Sequence, residues 1–550
     1  MVFGQQVPAA IPDEIFFNGK VITVDPAFRI AEAFAVKGDR FFAVGTNAAM
    51  KALAGPRTRL TDLGGHAIIP GLMDNHLHQY TAAVMDFRGV DLSGIASIGE
   101  MSERLRRAVA AAKPGATVFT NTSWSEAALR EKRAPTRQEL DQVSLDHPIV
   151  VYRARRTVYV NSAALKAGGI SRDSQALAGN TIEKDVSGEP TGLLGGASTV
   201  DSLVAKIVPA PTLAEEKEII RKGQTFQHSL GLTSIREVEL SPEIMRAYQS
   251  LKREGQLTMR VSMNIDIAAV EADHVGEILS PWGVGTGFGD HQLRLDSVGE
   301  FAVDGIPSNS YLREPHLNLP GKNLGDFRIT AEQLRQALVT MDRNGWRPSI
   351  HMNGDKSLDM VLDAYEAIDA QSPIRAKRWI VEHIPLVHPD QMDRMARLGV
   401  LVSAQFQPYN GAEGLIQSWG NERADRAVPM RELLDHHLTV SAGSDLPAGG
   451  TSNPFVPIYF YVTRKTSKGT LSGASQKISR EEALRVSTIN NAYMTFEEDV
   501  KGSIEAGKLA DFLVLSGDIL TVPEDQILSL RPLATFVGGK KVFSRDGSGF

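Results

Sequence analysis

The apolar residues of this chain recur with different periods in different stretches. Between residues 14 and 44 they come in short runs separated by turn residues. Two runs flank Asn18-Gly19, and two more, 33–36 and 40–44, flank Lys37-Gly38-Asp39. Such turn residues between apolar runs are hairpin signals, and short strands at this spacing predict a small β-sandwich. The C-terminal stretch reads the same way, with strands over 507–515, 534–537 and 540–543 and a turn at Gly538-Gly539. From residue 213 to about 488 the pattern changes. Runs of strand length alternate with stretches of helical period, clearest over 331–344, 358–370, 389–398 and 480–487. This alternation predicts a parallel sheet. Segment 79–230 is too long for an ordinary strand connection. Its own helical pattern at 98–112 and strands at 117–121 and 148–152 predict an inserted cap.

Groups capable of chemistry stand where the apolar strands end. The run Ala67-Ile68-Ile69 is broken by Pro70-Gly71, resumes at Leu72-Met73, and leads to His76 and His78. Residues two apart on a strand face the same side, so both imidazoles reach one point. Neutral imidazole is a good ligand for a divalent metal there. Three further strands end in His351, His383 and Asp445. Groups placed in this order, each on its own strand tip, fit a parallel barrel with its active site at the C-terminal strand ends.

Composition narrows the chemistry. The formal net charge of −6 over 550 residues gives no reason to expect nucleic acid or an anionic membrane as partner. The absence of cysteine excludes disulfides, thiolate metal sites and a cysteine nucleophile. Residues 1–10 lack the pattern of a signal peptide, and no apolar run approaches the roughly 20 residues that span a bilayer. The expectation is a soluble, cytoplasmic protein acting on a small molecule. The oligomeric state stays open, a homo-oligomer included.

The stretches IIPGLMDNHLH (68–78), HSLGLTSI (228–235), HMNGDKSLDMVLDAYE (351–366), VEHIPLVHPDQMDRMARLGV (381–400), AGSDLP (442–447) and GSIEAGKLADFLVL (502–515) carry a family resemblance. The chain resembles the amidohydrolase superfamily, and within it amidohydrolase family 3, the N-substituted formamide deformylase-like group, over nearly its whole length. The resemblance implies a distorted (β/α)8 TIM-like barrel over 66–499, with the cap inserted at about 79–230. It implies one β-sandwich built from both chain ends, 1–65 and 500–550. It also implies a metal-dependent hydrolase cleaving a C–N bond of an amide, N-formyl or N-acyl group. A deaminase or lactonase of the same superfamily, and a degenerate binding protein, are the alternatives.

On this reading His76, His78 and Asp445 hold one metal. His351 and His383 hold a second, or surround a single ion and leave one of the two for proton transfer or oxyanion stabilisation. Asp445 takes the proton of the attacking water and delivers it to the leaving nitrogen. Histidine and carboxylate ligands suit zinc, manganese, iron, cobalt or nickel. Zinc, at one or two ions per chain, is the expectation.

Departures from the family pattern are informative. The family commonly has a carboxylated lysine bridging two metals, and Glu300 stands in its place. Glu300 has the same charge on a shorter side chain, and Gly299 before it offers room for the backbone to move inward. Where relatives carry Asp-Gly-His, this chain has Ala154-Arg155-Arg156. Arg155 or Arg156 is a candidate clamp for a substrate carboxylate, against the plainer reading of a solvated basic turn. Trp124, Tyr409 and Trp419 are candidates for the pocket wall; Asp304 and Asp355 are expected as structural groups or as carboxylates orienting a histidine, in preference to direct ligands.

Overall fold

The computed structural model describes residues 11–550 except 155, 178 and 179. Its centre is a sheet of eight parallel strands: β1 (Leu72–Leu77), β2 (Leu232–Leu240), β3 (Arg260–Ile265), β4 (Leu293–Ala302), β5 (Pro348–Met352), β6 (Ile380–His383), β7 (Leu401–Ala404) and β8 (Val440–Ala442). Neighbours in sequence are neighbours in the sheet. Parallel strands sheathed by helices are buried on both faces, which explains their continuous apolar runs.

Local signals start the covering helices. Capping boxes at Thr212/Glu215, Thr330/Gln333 and Ser479/Glu482 open helices Leu213–Leu230, Ala331–Arg343 and Arg480–Val486. A proline at the first position opens Pro389–Leu398. The barrel closes where β8 meets β1. The Asp445 N–H donates to His76 O at 2.7 Å. From helix Ile489–Met494, the Asn491 side-chain amide donates to Met73 O at 2.8 Å and Ala442 O at 3.3 Å, stapling the seam.

Both chain ends build the β-sandwich. One sheet has the order Arg40–Gly45, Ala33–Lys37, Glu14–Phe17, Arg59–Asp62. The other has Lys540–Ser544, Pro532–Val537, Phe512–Leu515, Ala67–Pro70, Lys20–Ile22, Ile30–Ala31. Phe16, Phe34 and Phe512 pack between them with ring centroids 4.8–5.1 Å apart. The Asn18-Gly19 turn does not close a hairpin. Asn18 takes a left-handed φ of +59°, and the strands on either side of it enter different sheets.

Strand Ala67–Pro70 of the sandwich continues through Gly71 directly into β1. A Cβ on Gly71 would lie 2.2 Å from Thr233 Oγ1 on β2, so only glycine allows this approach. The cap carries its own five-stranded sheet, ordered Thr181–Lys184, Pro190–Gly195, Thr157–Val160, Ile149–Ala154, Val118–Phe119. It has separate apolar cores around Leu165 and Leu203 and around Met101 and Leu140. By contrast, Tyr80 and Ala83 of helix Gln79–Arg88, and Ile219 and Ile220 of Leu213–Leu230, belong to the barrel core.

Candidate metal centre

Each candidate side chain is aimed by a local feature of its strand. His76 is within β1, and His78 follows its end. On β4, Val298 faces Pro348 of β5 while Phe301 faces Ile350, three steps against two. This extra residue is a bulge, and bulges re-aim side chains beside active sites. A Cβ on Gly299 would lie 2.4 Å from Ser349 O, so the bulge presses against β5 only because glycine is there. The result sends the shorter Glu300 side chain into the barrel. At β6, His383 has φ +67°, which breaks strand alternation and lets Glu382 and His383 both face inward. Asp445 and Glu239 also take left-handed φ values, +53° and +56°, at their strand ends. Such angles are costly for these residues and cluster at functional sites.

Glu300 lies among four imidazoles. Its Oε2 is 2.7 Å from His351 Nδ1, 2.9 Å from His383 Nε2 and 3.6 Å from His76 Nε2. Its Oε1 is 3.7 Å from His78 Nε2. His76 Nε2 and His78 Nε2 each stand 3.6 Å from the same oxygen, Oδ1 of Asp445. The outer nitrogens are held. Glu382 Oε2 accepts from His76 Nδ1–H at 2.7 Å, and Gln405 Oε1 from His383 Nδ1–H at 2.7 Å. Gly305 O accepts from His351 Nε2–H at 3.2 Å. A nitrogen that donates outward leaves its partner's lone pair facing inward, toward Glu300.

The charges of the site match a cation. Burial would raise the Glu300 and Asp445 carboxyls, yet the imidazoles beside them hold both well below the usual range. Burial would lower His76, yet Glu382 and Glu300 carry it well above its ordinary value, so an ion bound there would replace a proton on Nε2. Donors sharing one tetrahedral ion at 2.0–2.2 Å stand roughly 3.4 Å apart, close to the 3.6 Å separations here. His76 Nε2 is buried without a hydrogen-bond partner among the described residues, as a ligand atom aimed at an ion should be. The sets His76/His78/Asp445 and His76/Glu300/His383 each bring their donor atoms within 4.8 Å of one another. The residues present therefore fit a divalent ion.

Other expected residues fall in different places. Asp304 accepts from the Asn353 and Gly354 N–H groups at 2.8 and 2.9 Å and from Ser357 Oγ at 2.7 Å, holding the turn after His351. Asp355 accepts from His388 Nε2 at 2.8 Å and the Arg313 N–H at 2.8 Å. Their hydrogen bonds fix backbone turns and, for Asp355, a distant histidine, the structural one of the two roles expected for them. Trp124 is in the cap core, its indole N–H donating to Tyr152 O at 2.8 Å. Trp419 is buried, donating to Pro307 O at 3.0 Å. Tyr409 packs edge-on against Phe406, Tyr459 and Phe460. Arg155 lies outside the described residues. Arg156 is half-buried at the barrel mouth, its Nη2 3.4 and 3.5 Å from the two Glu239 oxygens.

A cleft of about 440 Å³ opens beside Asp445, walled by Ile306, Gln405, Gln407, Asn410 and Ser444. Below the histidines, Arg236 donates to Glu382 Oε1 and Asp296 Oδ2, each at 2.7 Å, and to Ser349 Oγ at 2.6 Å. Sequence reasoning missed Glu382, Gln405, Arg236 and Glu239. The available signal was a charge inside an apolar strand, as in Ile235-Arg236 or Val381-Glu382.

A model described as "Amidohydrolase family" matches residues 59–543. The N-substituted formamide deformylase of Arthrobacter pascens is 28% identical, over 98% of this chain and 99% of that protein. Protein LONG AFTER FAR-RED 3 of Arabidopsis thaliana is also 28% identical, over 98% of this chain and 92% of its own length. Among solved structures, an uncharacterized metal-dependent hydrolase from Pyrococcus horikoshii OT3 aligns with a TM-score of 0.74. It is 23% identical and covers 93% of this chain and 99% of that one.

Proposed function

Because the chain belongs to the amidohydrolase family and is a metal-dependent hydrolase of that superfamily, we propose that it cleaves the C–N bond of an N-formyl or N-acyl amide on a small molecule. The observation that carries the reading is the convergence of His76 Nε2 and His78 Nε2 on one oxygen of Asp445. The full-length similarity to a protein named for deformylating N-substituted formamides supports the choice of bond.

His76, His78 and Asp445 would hold one ion, and Glu300 with His351 and His383 a second, zinc being the expected metal. A divalent ion bound there lowers the pKa of its water toward about 7 and polarises a carbonyl oxygen. The protein's own groups do the rest. Glu382 and Gln405 keep the outer protons of His76 and His383 in place, so each inner lone pair stays available. Asp445 lines the cleft and carries the proton from the attacking water to the leaving nitrogen. The neutral wall of Ile306, Gln407 and Asn410 receives an uncharged portion of the substrate.

The test is a panel of N-formyl and N-acyl amines incubated with zinc-loaded protein, with products identified by mass spectrometry. An acid plus an amine, abolished by chelation and restored by metal, is the expected result. Ammonia release would make it a deaminase, and ring opening of lactones alone would make it a lactonase. The variant Glu300→Gln is expected to bind fewer ions per chain by elemental analysis.

A further inference from the structure

Three of the four imidazoles have their outer nitrogen bonded to an acceptor: Glu382 for His76, Gly305 O for His351 and Gln405 for His383. For His78 the facing group is Glu239, whose Oε2 lies 3.5 Å from Nδ1. Glu239 is near the end of β2, and its left-handed φ of +56° departs from the ordinary strand conformation of the residues before it. Its carboxylate is 8% exposed. The cap lies on its other side. Arg156, in the turn between Ile149–Ala154 and Thr157–Val160, places Nη2 3.4 and 3.5 Å from the two Glu239 oxygens. Its Nε is 3.6 Å from Asp201 on cap helix Ala197–Ile207. A continuous line of polar groups therefore runs from the cap, through Arg156 and Glu239, to His78.

We infer that Glu239 is the positioning carboxylate of His78, held in place by Arg156, so that the cap as well as the barrel sets the affinity of the centre for its ion. The inference rests on the metal-hydrolase reading of the same site. Chemically, Glu239 Oε2, 3.5 Å from His78 Nδ1, is the carboxylate placed to accept its N–H when an ion draws on Nε2. This fixes the tautomer that points Nε2 at Asp445 and Glu300. Arg156 keeps the carboxylate turned inward, a task for which its planar fork suits it better than lysine. The same position admits a second role. His78, Glu239 and Glu300 also bring their donors within 4.8 Å of one another, the spacing of direct ligands. The count of ions separates the two roles, because a positioning group changes affinity and a ligand changes stoichiometry.

The experiment titrates cobalt(II) into metal-free full-length protein. It reads affinity and stoichiometry by calorimetry and coordination by visible absorption. It uses wild type, Glu239→Ala, Glu239→Gln, Arg156→Met and the Glu239→Ala/Arg156→Met double variant. Glu239→Ala is expected to keep the wild-type number of ions, bind about ten- to a hundredfold more weakly and shift the cobalt bands. Glu239→Gln, whose amide oxygen still accepts from Nδ1–H, should recover most of the affinity. Arg156→Met should weaken binding less than Glu239→Ala. The double variant should be no weaker than Glu239→Ala, because both act through one contact.

Unchanged affinity in Glu239→Ala, or loss of a whole ion per chain, would overturn the inference. If Glu239→Ala fails to fold, Glu239→Gln and Arg156→Met decide it by the same affinities. A wild type that binds no cobalt or zinc would instead overturn the functional reading beneath it.

Discussion

The floor beneath the histidines and the cleft beside Asp445 treat polar groups in opposite ways. In the floor, charge is buried and paired. Arg236 is 1% exposed and bonds to Asp296, Glu382, Ser297, Ser349 and Asn75 O. Asp296 is shared with buried Arg347. In the cleft, the wall is largely neutral, and Gln407 Oε1 is buried without a hydrogen-bond partner among the described residues. A fully satisfied network makes a rigid support. A wall of neutral amides and apolar side chains can hydrogen-bond and pack against a substrate without burying a charge. On the proposed reading, the barrel separates holding the candidate ligands from receiving the substrate, although both tasks converge on one layer of side chains.

The largest expected effect falls on Asp445, which lines the cleft and stands 3.6 Å from His76, the imidazole that the floor holds through Glu382. Asp445→Asn should lower kcat by about 10²–10⁴-fold on a substrate found in the amide panel. Chain stability by thermal melting should change far less. If kcat holds, proton transfer belongs to another group. Next comes Arg236→Met, which leaves Glu382 and Asp296 buried beside a missing cation. Breaking such a pair costs about 3–5 kcal/mol, measurable by denaturant unfolding. Metal affinity should fall with it, because Glu382 orients His76. An Arg236→Met protein as stable as wild type would show that the floor is not the rigid member of the comparison.

A smaller effect is expected from acid. Burial would raise Asp296, but Arg347 and Arg236 outweigh it and hold the carboxyl below its ordinary value of 3.8. A carboxyl whose folded pKa is depressed binds fewer protons in the folded state than in the unfolded one. Its contribution to stability is then complete above about pH 4 and is lost as pH falls below that. Unfolding free energy measured from pH 5 down to pH 3 should fall less steeply in Asp296→Asn than in wild type. Equal slopes would remove Asp296 from the account. The smallest effect belongs to the cleft. Gln407→Ala should raise KM about three- to tenfold with kcat unchanged, the worth of one neutral hydrogen bond. A change in kcat with constant KM would move Gln407 from substrate recognition to the chemistry.

The legible part of this molecule follows from periodicity. The strands that end in His76, His78, His351, His383 and Asp445 are apolar runs with a polar stop, and period-2 reasoning places those stops on one rim. Glu300 was legible through the family resemblance alone, as the residue standing where a bridging lysine is expected. What escaped depended on departures from the period. Glu382 neighbours His383 in sequence and by strict alternation would face away from it, yet the left-handed φ at His383 turns both inward. Glu239 likewise owes its direction to a backbone angle that no residue type in Val238-Glu239-Leu240 announces. Asn18-Gly19 reads locally as a hairpin turn. The destination of its two strands is decided by pairing with Phe34 and Ala67, which are distant in sequence.

The passage of one strand from sandwich to barrel through Gly71 makes cooperativity a property of the whole chain. The backbone that pairs Pro70 with Phe512 in the sandwich carries His76 six residues later. The sandwich cannot detach without dragging the ligand strand, and an ion bound only by the folded centre stabilises every segment that must be in place for binding. Chelation should therefore lower the melting temperature of the phenylalanine-packed sandwich along with that of the barrel, in a single transition. A remote β-sheet would in that way report on the occupancy of the centre.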